Sequence, residues 1–185
     1  PTDKTIFKNI CKLPAATIAT FRSGQLQLRR YWDLDYSKKI NISEHEALEK
    51  STALITEAVK LRLISDVPLG AFLSGGVDSS LIVALMSQFT DRVKTFSIGF
   101  GQDDFNELPY AKKVAALYKT DHTEFVVTPN AKDIFEDLIE AFDEPYADPS
   151  QIPMYYLCKL TRQKVTVALN GDGGDEGFAG YERYL

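Results

Sequence analysis

The sequence predicts an α/β fold, a twisted parallel sheet with helices on both faces, preceded by a short β-hairpin. Three observations carry that prediction. From residue 67 onward, short apolar runs alternate with amphipathic stretches of helical length. Strands separated by such stretches argue for right-handed βαβ units and a parallel sheet. Two glycine-rich stretches each follow an apolar run directly, at the strand ends where sheets of this kind hold their ligands.

The elements follow in order. Residues 6–35 read as short strands: 15–21 is small, β-branched and apolar, and Ser23-Gly24 is a turn signal. Across 25–32, Leu26 and Leu28, and less cleanly Arg30 and Trp32, share one side. A hairpin of this size is too small to be stable alone. Residues 33–42 form a polar linker. Ser43 and Glu46 stand at capping-box spacing before a long helix whose stripe includes Leu48, Ala58, Leu61 and Ile64, ending near Ser65-Asp66. The pattern then gives strand 67–73, helix 78–88, strand 93–100, helix 107–118, strand 122–127 and helix 131–142. A proline-rich loop over 143–153 leads to helix 154–161, strand 165–169 and a last helix starting near Glu176.

Composition excludes several function classes. The 185 residues suffice for one domain with a short appendage, and a 44% hydrophobic, 25% charged make-up is that of a globular chain. The net charge is −5 with Lys and Arg scattered, so no basic footprint for a nucleic-acid partner exists. No apolar run approaches the ~20 residues needed to span a bilayer, so no membrane partner is expected. Cys11 and Cys158 lack metal-ligand spacing and read as two reduced thiols of a cytoplasmic protein, with a disulfide as the less favoured alternative. The start, Pro1-Thr2-Asp3, is neither a signal peptide nor a natural beginning. The end at Tyr184-Leu185 carries no turn signal, and the chain reads as part of a longer protein that continues on both sides.

The first glycine-rich stretch is Ser74-Gly75-Gly76-Val77-Asp78-Ser79-Ser80, between an apolar strand and an apolar helix. Gly75 and Gly76 allow positive φ and close approach of an anion to the backbone. The helix N-terminus turns N–H groups and a positive dipole end toward that anion, and Ser74, Ser79 and Ser80 add hydroxyls. Asp78 beside a polyphosphate makes sense with a divalent cation between them, which points to Mg²⁺. A Ser/Gly turn with Asp78 as a cap is the plainer alternative. The Walker ending Gly-Lys-Ser/Thr is absent, as is a dinucleotide fingerprint. At these residues the sequence resembles the N-type ATP pyrophosphatases, PP-loop proteins of adenine nucleotide alpha hydrolase-like fold. These include asparagine, NAD, GMP and argininosuccinate synthetases and tRNA-thiolating enzymes. The resemblance implies cleavage of ATP between its α and β phosphates, with the loop holding the leaving pyrophosphate.

The second stretch, Asn170-Gly171-Asp172-Gly173-Gly174-Asp175-Glu176-Gly177-Phe178-Ala179-Gly180-Tyr181, puts three acidic residues among glycines at a strand end. Such a loop suits a metal bridging phosphates or a base near a reacting amine, with a calcium-like loop or an acidic turn as the alternative. It resembles the second signature of the asparagine synthetase branch, Ser-Gly-(Asp/Glu)-Gly-(Gly/Ser)-Asp-Glu followed by an apolar residue and Phe-x-Gly-Tyr. By that resemblance Asp175 joins Asp78 on Mg²⁺, and Asp172, where many relatives have Glu, assists the nucleophilic amine. Asn170 in place of Ser and Gly177 in place of an apolar residue depart from the pattern. Gly177 is expected to weaken the start of the following helix by about 1 kcal/mol relative to Ala.

Further stretches fit the same branch. Residues 66–70 precede the first loop as in many asparagine synthetases, and residues 95–100 form the strand at whose end the family binds adenine. Backbone groups of Phe72, Ile98, Gly99 and Gly171 are the candidate adenosine contacts, while the Phe72 and Ile98 side chains read equally as core. Asn106-Glu107 is family-like, and Glu107 reads equally as a helix-start carboxylate. The loop from Asp143 through Pro153 resembles one beside the aspartate pocket, which makes Asp148 and Ser150 candidate substrate contacts; a structural loop with a cap at Ser150 is the alternative. His45 and His122 show no partner pattern, and the tyrosines at 155, 156, 181 and 184 read as packing.

Residues 1–35 look like the end of the family's glutaminase domain with a linker, and residues 36–185 like the synthetase domain, cut at its C-terminal side. The glutaminase nucleophile, an N-terminal cysteine, is not in the chain, and this piece alone is expected to be inactive. The implied reaction is amide formation from aspartate, ATP and glutamine-derived ammonia through a β-aspartyl-AMP intermediate. The alternatives are a relative acting on another carboxylate, and a nucleotide-binding module without catalysis. The implied partners are these small molecules and the protein's own glutaminase domain, with a homodimer left open.

Overall fold

The computed structural model describes residues 3–101, 107–128 and 130–184. Asn106, named above, lies outside them, as do Pro1, Thr2 and Leu185. The first element is an antiparallel hairpin, β1 (Thr17–Arg22) and β2 (Gln25–Arg30), with Arg22 paired to Gln25. Ser23 and Gly24 both have positive φ, 50° and 77°, which a two-residue turn between right-twisted strands requires. Phe21 faces Leu26 and Ala19 faces Leu28 across the ladder, yet Phe21 is 72% exposed. The apolar side of the hairpin is bare among the described residues. Lys12, ahead of it, forms an ion pair with Glu144.

Helix α1 (Glu44–Arg62) starts as its sequence requires. Ser43 Oγ accepts the Glu46 N–H at 3.2 Å, and the Glu46 carboxylate meets Lys50 at 2.7 Å. Then follow β3 (Leu69–Phe72), α2 (Val77–Met86), β4 (Lys94–Phe100), α3 (Leu108–Leu117) and β5 (Asp121–Val127). The chain continues through α4 (Phe135–Phe142), α5 (Gln151–Thr161), β6 (Val167–Leu169), α6 (Gly174–Phe178) and a 3₁₀ turn, Glu182–Tyr184.

The four later strands form one parallel sheet in the order β5-β4-β3-β6. The chain therefore winds from β3 out to β5, then returns to add β6 on the other side of β3. That reversal puts the carboxyl ends of β3 and β6 side by side, the crevice in which open α/β sheets hold ligands.

Alternation along the strands builds a core on each face. Ala71 and Leu73 pack with Val59 of α1, Val83 and Met86 of α2, and Ala111 and Ala115 of α3. Phe72 points the other way, toward the cluster of Phe96, Ile98, Phe125, Val165 and Leu157 of α5. The rings of Phe96 and Phe125 stack at 6.2 Å. The polar strand residues on this sheet are bonded: Ser97 Oγ donates to Leu73 O, and Thr95 Oγ1 meets Thr120 and His122.

Three helix boundaries differ from the sequence expectation, each for a local reason. The helix expected over 131–142 starts at Phe135, because Asn130 Oδ1 accepts the Lys132 N–H at 3.2 Å and holds residues 131–134 in turns. The helix expected from residue 154 starts at Gln151, with Pro153 in the first turn, where a missing N–H is harmless. The last helix begins at Gly174 rather than near Glu176 and ends at Ala179, whose φ is 57°. Gly177 thus sits inside α6, and a Cβ there would meet open space.

Candidate functional site

The carboxyl ends of β3 and β6 open into a cavity of about 380 Å³. From β3 and the loop after it come Phe72, Leu73, Ser74, Asp78 and Ser79, and from β4 come Phe96, Ser97 and Ile98. The wall on the α5 side is Ser150, Pro153, Met154 and Leu157, and Glu107 stands ahead of α3. The loop after β6 supplies Asn170, Gly171, Asp172, Gly173, Asp175, Glu176 and Tyr181.

The first loop is bonded to itself and packed onto α3. Ser74 Oγ and Ser79 Oγ meet at 2.9 Å, the Ser74 N–H donates to Ser79 Oγ at 3.2 Å, and the Gly76 N–H donates to Ser74 Oγ at 3.2 Å. Gly75 has φ 89°, and a Cβ on it would lie 2.5 Å from the Ala111 nitrogen. No side chain caps α2, whose N-cap is Gly76. The first-turn N–H groups of that helix end therefore face the side from which an anion would come. Ser80 Oγ is buried without a hydrogen-bond partner among the described residues.

The second loop closes over the first. A Cβ on Gly171 would lie 2.7 Å from Asp78 Cβ and 2.8 Å from the Ser79 nitrogen, and one on Gly174 would strike the Asp78 carboxylate. One step further, the Asp175 carboxylate lies against Gly180, whose N–H donates to Asp175 O at 3.0 Å. Glycine at these places lets two acidic loops from neighbouring strands interlock.

Of the residues named from sequence, Phe72, Ser74, Asp78, Ser79, Ile98, Ser150, Gly171, Asp172 and Asp175 line this one cavity. Gly75, Gly76, Ser80, Gly99 and Asp148 do not line it. Asp148 turns to Ser150, whose N–H it accepts at 2.9 Å, and hydrogen bonds from the Ser150 side chain and backbone hold its carboxyl below the usual range. Ser150 is the N-cap of α5 but makes no side-chain capping bond.

Sequence reasoning did not single out Ser97, Glu107, Glu176 or Tyr181 as cavity residues. Glu176 was visible as the third carboxylate of the second loop, Glu107 as a family-like acid, and Ser97 as a small polar residue in an apolar strand. Tyr181 Oη donates to Glu176 Oε1 at 2.6 Å, and the Arg183 guanidinium sits 4.3 Å from the Tyr181 ring centre. The hydrogen bond to Glu176, then burial, push the Tyr181 phenol up to about 12, while the same bond holds Glu176 below the usual carboxyl range.

The cavity wall is acidic: Asp78, Glu107, Asp172, Asp175 and Glu176 line it, with no Lys, Arg or His among the described residues. A polyphosphate is repelled there unless a cation intervenes. No group of three or more His, Cys, Asp or Glu gathers to hold a metal among the described residues. Two carboxylates without a full protein cage are the donor set suited to Mg²⁺, which takes its remaining ligands from phosphate oxygens and water. No helix among the described residues is long and apolar enough to cross a membrane.

Residues 50–185 match the family model described as asparagine synthase. The whole chain is 42% identical over 193 residues to a putative glutamine-hydrolysing asparagine synthetase of Methanocaldococcus jannaschii, covering 36% of that protein. It is 35% identical over 186 residues to glutamine-hydrolysing asparagine synthetase 1 of Bacillus subtilis, covering all of this chain and 29% of that one. An amidase of Penicillium rubens is 29% identical over 98% of this chain and 30% of its own length. The chain thus spans about a third of the curated relatives it matches. Among solved structures, an NH3-dependent NAD synthetase of Campylobacter jejuni is 20% identical, with 76% of this chain and 61% of that one covered and a TM-score of 0.45. An NMN synthetase of Francisella tularensis is 15% identical, with 76% and 59% covered and a TM-score of 0.47. At those scores the two likenesses carry no weight beside the strand pairing itself.

Proposed function

The chain belongs to the asparagine synthase family, and on that premise we propose that the protein it comes from forms an amide at the expense of ATP. The product is asparagine, made from aspartate and ammonia released from glutamine. The observation that carries this reading is the interlock of the two loops: Gly171 and Gly174 close on Asp78, and both loops line one acidic cavity.

In this reading the loop of Ser74, Gly75, Gly76, Asp78, Ser79 and Ser80 holds the β and γ phosphates of ATP. Helix α2 offers its uncapped N-terminus to their charge. Adenosine lies along backbone groups of Phe72, Ile98, Gly99 and Gly171. Asp78 and Asp175 would hold Mg²⁺, which when bound supplies the positive charge this wall lacks. The aspartate side-chain carboxylate attacks the α-phosphorus, giving β-aspartyl-AMP and pyrophosphate. Ammonia then displaces AMP, with Asp172 near the incoming amine and Asp148 and Ser150 on the substrate side. Positioning and charge neutralisation do most of the work in such in-line transfers.

Residues 1–35 we assign to the end of the glutaminase domain and its linker, and residues 36–185 to the synthetase domain. The bare apolar side of the hairpin supports that division, since two strands alone do not bury such a face. The unpaired cysteines fit a reducing cytoplasmic setting. A second reading is amide formation on another carboxylate, since a relative as similar as the Penicillium protein is not named for asparagine. Gly177 and Asn170, the departures that suggest a chain without catalysis, are both accommodated: α6 forms around Gly177, and Asn170 bonds Asp172.

Carboxylate-dependent pyrophosphate release by the full-length protein, screened over aspartate and other acids, tests the proposal. Release with aspartate supports asparagine synthesis, release only with another acid supports the second reading, and release with none contradicts both.

A further inference from the structure

Asn170 leaves β6 directly after Leu169 and its side chain turns onto the residue two places on. Its Nδ2 donates to the Asp172 carboxylate at 2.7 Å, and its Oδ1 accepts the Asp172 N–H at 3.3 Å. Together the two bonds restrain both the backbone and the carboxylate of Asp172. Behind this turn lies a second cavity of about 360 Å³, walled by Ile55, Val59 and Arg62 of α1 and Ile82 of α2. Asn170 and Asp172 are the residues common to the two cavities.

We propose that Asn170 is a positioning residue: it clamps the Asp172 carboxylate in the wall between the two cavities and so sets where the attacking amine is received. The inference rests on the reading of Asp172 given above. In that step the C–N bond forms as the acyl C–O bond breaks. AMP leaves with the bonding pair, and the proton lost by the amine nitrogen passes to Asp172. An unrestrained aspartate divides its carboxylate among several rotamers. Fixing one of them raises the share of productive encounters. The first cavity offers no Lys, Arg or His among the described residues to do this. Arg62, on the far side, is turned to Ala58 O at 2.9 Å. The neutral amide of Asn170 is the donor the structure places on Asp172.

Two variants of the full-length enzyme test this. Asn170→Asp keeps the size and turns the donor into a repelling acceptor; Asn170→Ala removes both bonds without adding charge. Two half-reactions are read: aspartate-dependent ATP–pyrophosphate exchange, and amide formation from an ammonium salt. The amide-forming kcat is expected to fall about tenfold or more beyond any fall in exchange, as for loss of a hydrogen bond to a charged group. The KM for ATP and the melting temperature should change little. Parallel loss of both half-reactions, or loss of neither, overturns the proposal, and if Asn170→Asp does not fold, Asn170→Ala alone decides. A wild type without either half-reaction refutes the functional reading instead, whereas an active wild type with unsplit variants refutes only the role of Asn170.

Discussion

The place a side chain on Gly174 would need is taken by the carboxylate of Asp78. These residues lie far apart in sequence, one in the first turn of α2 and one at the start of α6, and their contact joins the two halves of the cavity. Gly174→Ala should therefore displace Asp78 and lower ATP–pyrophosphate exchange about 10²-fold, the scale of an ångström-sized misplacement. Gly177→Ala, three residues on and facing open space, should leave exchange unchanged and stabilise the fold by up to about 1 kcal/mol. Exchange rates and melting curves of the two variants check this. Equal losses of exchange would show that the contact does not matter.

Tyr181 and Glu176 offer a spectroscopic check on the geometry of the second loop. The phenol is pushed from 10.0 up to about 12, first by its hydrogen bond to Glu176 and then by burial. The folded state thus keeps the proton longer than the unfolded one. The stabilisation is full below pH 10.0 and is lost as pH rises through about 12. In a titration of tyrosinate absorbance, Tyr181→Phe should remove a late-titrating phenol, and Glu176→Gln should bring that phenol back toward 10.0. Unchanged curves in both variants would contradict the bond.

His122 should make stability depend on pH at the opposite end of the sheet. Its Nδ1 meets Thr95 Oγ1 at 2.9 Å, while its buried Nε2, 3.6 Å from Glu124, makes no hydrogen bond among the described residues. Burial, the largest influence, pushes the imidazole below its ordinary 6.5, against the pull of Glu124 and with the help of Lys112. A lowered value means the unfolded chain takes up the proton first as pH falls. Stability is therefore full above 6.5 and drops as pH goes below it. Urea midpoints at pH 7.5 and 5.5 should fall more in the wild type than in His122→Gln; equal falls would contradict this.

The alternation of strands and helices was legible because the central strands β3 and β4 are continuous apolar runs buried on both faces, with helices packed against them. Ser43 and Glu46 marked the start of α1 through a capping bond that is local in sequence. Other boundaries were set by competition that no apolar pattern displays: the Asn130 turn delays α4, and Pro153 fits inside the first turn of α5. The placement of β6 beside β3, and with it the meeting of the two glycine loops, depends on a return of the chain across the sheet. Local periodicity carries no sign of that return. The loops could be recognised singly, but the contact of Gly174 with Asp78 and the Thr95–His122 pair exist only between segments that folding brings together. Asp148 and Gly99 were candidates through the family resemblance alone, and neither lines the cavity.

The central claim is that these interlocked loops activate a carboxylate by adenylation. Its most direct test is aspartate-dependent ATP–pyrophosphate exchange by the full-length protein, measured for the wild type and for Asp78→Ala at varied Mg²⁺. The account predicts exchange that requires both aspartate and Mg²⁺, and a loss of at least about 10³-fold in Asp78→Ala. Exchange that survives the substitution, or cleavage of ATP to ADP and phosphate, would contradict it.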